Sequence, residues 1–124
     1  MTLGIKVQDY ILQLNLEGAL SDNQGSEFQK WADQVHQTLL DLQKATRSKV
    51  RILTDAGKIE SIGDKIMAIY NDLLRKDYPL VYRSATYGSK PEIMATLSTL
   101  SITSGRPNFQ HFKTKEEALN WLMQ

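Results

Sequence analysis

The chain has no cysteine among its 124 residues, which excludes a disulfide framework, a thiolate metal site and a cysteine nucleophile. It has only two histidines, His36 and His111, far apart and with no second ligand at metal-site spacing, so no metal is expected and both are read as structural. An excess of one charge is missing too. The 15 basic and 14 acidic residues leave no global field to draw nucleic acid or an anionic membrane, so partners must be selected by shape and local chemistry. No apolar stretch approaches the roughly 20 residues that span a bilayer, and "MTLGIKVQDY" lacks the basic start and apolar run of a secretion signal. The cytoplasm is the expected location. G-x-S-x-G, a Walker loop, G-x-G-x-x-G and H-E-x-x-H are all absent, and nothing nominates either histidine for a serine mechanism. An enzyme is not expected, and neither catalytic residues nor a cofactor are implied.

What is present fits one globular domain over residues 1–124, with 41% hydrophobic and 23% charged residues and no linker or low-complexity segment. "GIKV" and "YILQLNLEGAL" alternate with period two, predicting a hairpin that turns at "QD". Phe28, Trp31, Val35, Leu39 and Leu42 recur at spacings of three and four, the buried stripe of a helix of about five turns. Gln29, Lys30, Asp33, Gln37 and Asp41 face away. "KVRILTD" is a short β-branched strand ending at Asp55 and Gly57, after which a loop leads to Ser61. Helical spacing then runs from Ile62 through Ile66, Ile69, Tyr70, Leu73 and Leu74 to "RKDYP", where Pro79 stops it and the strand "LVYRSAT" follows.

"LSTLSIT" scores poorly as helix on propensity, but its punctuation favours one. Ser89 with Glu92 fits a capping box, Pro91 suits a first turn, Gly105 and Pro107 make a stop, and Ile93, Leu97 and Leu100 supply the stripe. A short strand "NFQHF" and a last helix capped by Thr114 and Glu117 complete the order ββαβαβαβα. In that last helix Ala118, Leu119 and Leu122 turn inward, and Trp31 and Trp121 are both read as core. Strands joined through helices run parallel, so the fold class is α/β: a mixed, mostly parallel sheet of about five strands with helices packed on it.

In that order of elements the chain resembles a STAS domain, and within it the SpoIIAA-like (STAS/SEC14-like) branch. "LNLEGAL" is similar to the family's second strand, "VRILTDAGKIESIG" to the strand, loop and helix start that carry a D-S-S-G-like motif, and "SGRPNFQHFKTKEEALNWL" to the branch's ending. The resemblance implies a non-catalytic regulatory or protein-binding module, for instance a signalling antagonist, with a protein partner. It implies a docking or phosphorylation site around Lys58, Glu60, Ser61 and Gly63. The motif departs at one point: the serine before the glycine, which the family's kinase modifies, is Ile62 here, and Ser61 matches the preceding serine.

Read from the residues alone, Ser61 caps the second helix and Asp64 completes a box worth about 1 kcal/mol. Asp55, Ser84, Thr86 and Gly88 lie at strand ends, where open α/β sheets bind ligands, and form a candidate crevice. A receiver-type phosphoacceptor is excluded, because only "YGS" separates Thr86 from Lys90. The alternative function is a small carrier of an apolar ligand or lipid between sheet and helices, lined by Met67, Tyr70, Tyr82 and Met94, residues that fill a core equally well. A homodimer is open to the chain if an edge strand or the first helix stays partly uncovered.

Overall fold

Residues 1–124 are all described by the computed structural model. β1 (Thr2–Gln8) and β2 (Ile11–Leu20) form the antiparallel hairpin, and α1 (Gly25–Thr46), β3 (Val50–Ile62), α2 (Asp64–Asp77), β4 (Val81–Tyr87), α3 (Pro91–Thr103), β5 (Phe109–Phe112) and α4 (Lys115–Leu122) follow. The five strands lie side by side in chain order, and β2 to β5 are parallel. Right-handed crossovers that always advance to the next position put every crossover helix on one face. Accordingly Phe28, Val35, Ile66, Tyr70, Ile93 and Leu97 pack with Leu12, Leu14, Leu16 and Ile52 in one core. α4 follows the last strand and covers the opposite face, where Ala118 and Leu122 meet Ile11, Leu53 and Ala85.

The hairpin turns one residue later than its sequence suggests. Gln8 pairs with Ile11, and Asp9 and Tyr10 take φ of 53° and 63°, the left-handed pair that matches the twist of a two-residue turn. The 22-residue α1 is about a turn longer than expected, and Leu42 is only half buried. β3 does not end at Asp55. It continues to Ile62 because β2 is long enough to pair with it, and register shifts between Asn15 and Glu17 and between Gly18 and Ala19 keep Ala56 and Ile59 pointing into the core. Leu80 belongs to a 3-10 turn, and a third shift, between β3 and β4, leaves Tyr82 unpaired, so Val81 faces the helices while Tyr82 and Arg83 face α4.

α3 is helical over the stretch with poor propensity. Its cap is Lys90 rather than Ser89, with no side-chain capping bond, and Pro91 spends the first-turn position where no N–H is needed. Gly105, at φ +69°, supplies the expected stop. At α4 the expected cap forms: Thr114 Oγ1 accepts from the Glu117 backbone N–H at 3.2 Å and donates to the Glu117 carboxylate at 3.1 Å. The other end of α4 is held by cations, which suit a helix C-terminus. Arg51 Nε donates to the Leu122 carbonyl at 2.8 Å, Arg83 Nη1 to that of Trp121 at 2.6 Å, and the Arg83 guanidinium lies 4.7 Å over the Trp121 ring. Trp121 is therefore half buried against Arg83 and Phe112, whereas Trp31 is fully in the core and donates from Nε1 to the Gly4 carbonyl on the edge strand at 3.3 Å.

Both histidines are structural in their contacts. His36 Nδ1 meets the Asp77 carboxylate at 2.5 Å, and His111 Nε2 meets Ser101 Oγ at 3.3 Å under α3. Burial holds the His111 imidazole below its ordinary 6.5, partly offset by the Leu97 backbone. The folded chain thus accepts this proton less readily than the unfolded one. The stability tied to neutral His111 is present above pH 6.5 and is lost as the pH falls through the depressed folded value. Asp77 works the other way: stability tied to its neutral carboxyl is fully present below 3.8 and is lost as the pH rises through the raised folded value. Melting temperatures of wild type and His111→Gln, compared from pH 7.5 downward, isolate the first effect. The variant is expected to lose less on acidification, and parallel curves would refute the assignment.

Candidate functional site

The end of β3 and the start of α2 form a corner pinned from the side by the end of β2. The Gly63 N–H donates to the Leu20 carbonyl at 2.8 Å, and the Asp22 carboxylate accepts from the Lys65 N–H at 2.9 Å. The cap of α2 is therefore Gly63, with Asp22 as the acceptor. Ser61 is not the cap. It lies in β3, opposite Ala19, two residues before the cap, and its hydroxyl has no hydrogen-bond partner, so it makes no box with Asp64. A methyl group at Gly63 would collide with the Asp22 carboxylate, which is why a residue without a side chain stands there.

Lys58, Glu60 and Ser61 are all exposed on this corner, while Ala56 and Ile59 between and before them are buried. Lys58 Nζ lies 3.4 Å from the Glu17 carboxylate, its register partner on β2, in an exposed pair that contributes about 0–1 kcal/mol. The four residues singled out here by sequence thus stand together on one edge. A phosphate on Ser61 would add roughly −1.5 to −2 charges beside Glu60. The α2 N-terminus is already occupied by Asp22, so such a charge would not cap the helix.

The second group is split. Ser84 and Thr86 are buried beneath the helices, whereas Asp55 and its register partner Tyr87 point to the α4 side, as alternation along a strand requires. Gly88, at φ +83°, packs against Gly57 so closely that a side chain would press on the Gly57 Cα. Asp55 Oδ1 accepts from the Gly57 N–H at 3.0 Å. Instead of the expected crevice, Asp55 joins a groove of ≈ 260 Å³ with Gly4, Lys6, Gln13, Asn15 and Tyr87. Burial raises the Tyr87 hydroxyl above its ordinary 10.0, and the neighbouring Asp55 charge adds to the effect. Sequence reading missed this groove because its residues come from four strands. The period-two alternation of "YILQLNLEGAL", which sets Gln13 and Asn15 opposite the leucines, was the available signal.

The residues of the carrier alternative share no hollow. Tyr70 is buried 6.0 Å from the Phe28 ring, with its hydroxyl pushed up to about 12 by burial, and Tyr82 lies on the other side of the sheet under Arg51 and Arg83. No group of His, Cys, Asp and Glu could hold a metal, and no helix is long and apolar enough to cross a membrane.

This one-sided α/β sheet with a closing helix is an architecture found among solved proteins. A putative anti-sigma factor antagonist from Thermotoga maritima superposes with a TM-score of 0.69 at 16% identity, covering 98% of this chain and 95% of that one. An anti-sigma factor antagonist from Mycobacterium paratuberculosis gives 0.67 at 14% identity, covering 99% and 94%. An uncharacterized protein of the DUF3478 family from Shewanella loihica PV-4, described as having a SpoIIAA-like fold, gives 0.61 at 19% identity, covering 98% and 92%. The fold is therefore SpoIIAA-like, the fold that the sequence resemblance implied. No family model matches the sequence, and no curated protein matches it.

Proposed function

We propose that this protein is a non-catalytic regulatory module that binds a protein partner through the corner from Lys58 to Lys65. The observation that carries this reading is the corner itself: exposed Lys58, Glu60 and Ser61, with an unbonded hydroxyl, on a backbone locked by Leu20 and Asp22. A rigid frame presenting free polar groups loses little entropy on docking. The shared fold with proteins described as anti-sigma factor antagonists supports it. The test is capture of partners from an extract of the native host by wild type and by the double variant Lys58→Glu/Glu60→Lys. The swap should lower the thermal melt only slightly, since it sets residue 58 against Glu17, and reduce capture of the specific partner about tenfold or more, the scale of a lost charge pair at an interface. Equal capture would remove this corner as the docking site.

A further inference from the structure

α4 covers β3, β4 and β5 and reaches β2 at Ile11, which leaves the rest of the β1 and β2 face beside it open. The groove of ≈ 260 Å³ lies there. Its residues follow from register: Gly4, Asn15, Asp55 and Tyr87 are successive partners across four strands, and Lys6, Gln13 and Leu53 form the next row. Neighbours in a row stand about 4.8 Å apart. Gly4 brings no side chain to its row, so the floor dips at the β1 end, with Tyr87 at the other.

The hydrogen-bonding capacity of this lining is mostly unspent. Asp55 uses one oxygen on the Gly57 N–H, and Asn15 uses its amide nitrogen on Glu17 at 3.2 Å, which leaves a carboxylate oxygen and an amide carbonyl side by side. Lys6 has no ion-pair partner within 4.0 Å, the Gln13 amide bonds to no other side chain or backbone group, the Tyr87 hydroxyl stands beside the Asp55 carboxylate, and buried Leu53 is the apolar floor.

We propose that this groove binds a single neutral sugar ring or a polyol of similar size. Hydroxyl groups both donate and accept, and two on adjacent carbons match a carboxylate beside an amide at strand spacing. The Tyr87 ring, next in the row, offers an apolar edge for the ring's C–H groups. Lys6 and Asp55 cancel in charge, which disfavours a strongly ionic ligand. The volume lies below the roughly 300–1,000 Å³ of sites for larger molecules, which fits one ring rather than a chain of them.

The test is a titration of the full chain, followed by ¹H–¹⁵N NMR, with glucose, galactose, mannose, ribose and myo-inositol to tens of millimolar, and with glycine and inorganic phosphate as competing chemistries. At least one of the first five should give saturable shifts centred on Lys6, Gln13, Asn15, Asp55 and Tyr87. Asp55→Asn keeps an acceptor for Gly57 and so preserves the loop, yet should weaken binding about tenfold by losing the charged acceptor. Gln13→Ala, at a half-exposed position, is the second variant and should weaken it severalfold. The proposal is overturned by no saturable shift with any of the five. It is equally overturned by shifts centred elsewhere, by binding that both variants leave unchanged, or by saturation with glycine or phosphate alone.

Discussion

Replacing Asp77 by alanine is expected to lower stability by about 1–3 kcal/mol, read as a clear fall in the urea midpoint, because it removes the partner of His36 and a carboxylate charge that acts on buried Arg106. Asp77 ends α2 at 2% exposure, bonded to His36 of α1, and its charge acts on Arg106, itself 2% exposed, whose two terminal nitrogens have no hydrogen-bond partner. Burial raises the Asp77 carboxyl above its usual range, with the His36 hydrogen bond and the Arg106 charge pulling it back. Burial lowers Arg106, with Tyr70 and Asp77 opposing. Neither charge is comfortable alone. Asp77→Asn, which keeps a partner for His36 but not the charge, should fall between wild type and alanine. Adding Arg106→Met to Asp77→Ala should recover part of the loss, since the uncompensated cation is then gone. A pair of variants whose losses simply add would show that the two charges do not interact.

Phe28→Ala is expected to cost more, about 3–5 kcal/mol, for a different reason. Phe28 is fully buried, with ring centroids 5.2 Å from Trp31 and 6.0 Å from Tyr70, so it joins two turns of α1 to α2 over the sheet. Truncation removes the transfer free energy of the ring and leaves a cavity that two rigid neighbours cannot fill. Phe28→Leu should cost clearly less, because it returns most of the volume. Native stability is only about 5–15 kcal/mol, so the alanine variant should be partly unfolded at physiological temperature, visible as loss of near-UV circular dichroism. A loss below about 1 kcal/mol would mean that the three rings do not form one packed unit.

The contrast between these residues marks what the sequence reveals. Phe28 belongs to a stripe at spacings of three and four, and such stripes specify a buried face with no knowledge of what covers it. The parallel sheet follows from the same local logic, as does the Thr114 cap, whose donor is three residues away. Asp77 sits in "RKDYP", which reads as a polar helix end, and its burial depends on α1 and on the chain after α3. Ser61 has the sequence pattern of a cap, but the acceptor for the first turn of α2 is Asp22, 43 residues before the Lys65 N–H that it binds. β3 looks shorter in the sequence than it is, because the register shifts opposite it break the alternation after Asp55. The corner at Lys58 to Gly63 was located by resemblance, whereas the groove needed four strands in register before its residues met.

A sheet whose spatial order repeats its chain order has a consequence for synthesis. As the nascent chain leaves the ribosome, β2 can close on β1 at once, and each later strand finds its neighbour already made, one helix earlier. Pairing never has to wait for a distant piece of chain. The exception is the face bearing Leu53 and Ala85, which stays wet until α4 emerges and its terminal carbonyls reach Arg51 and Arg83.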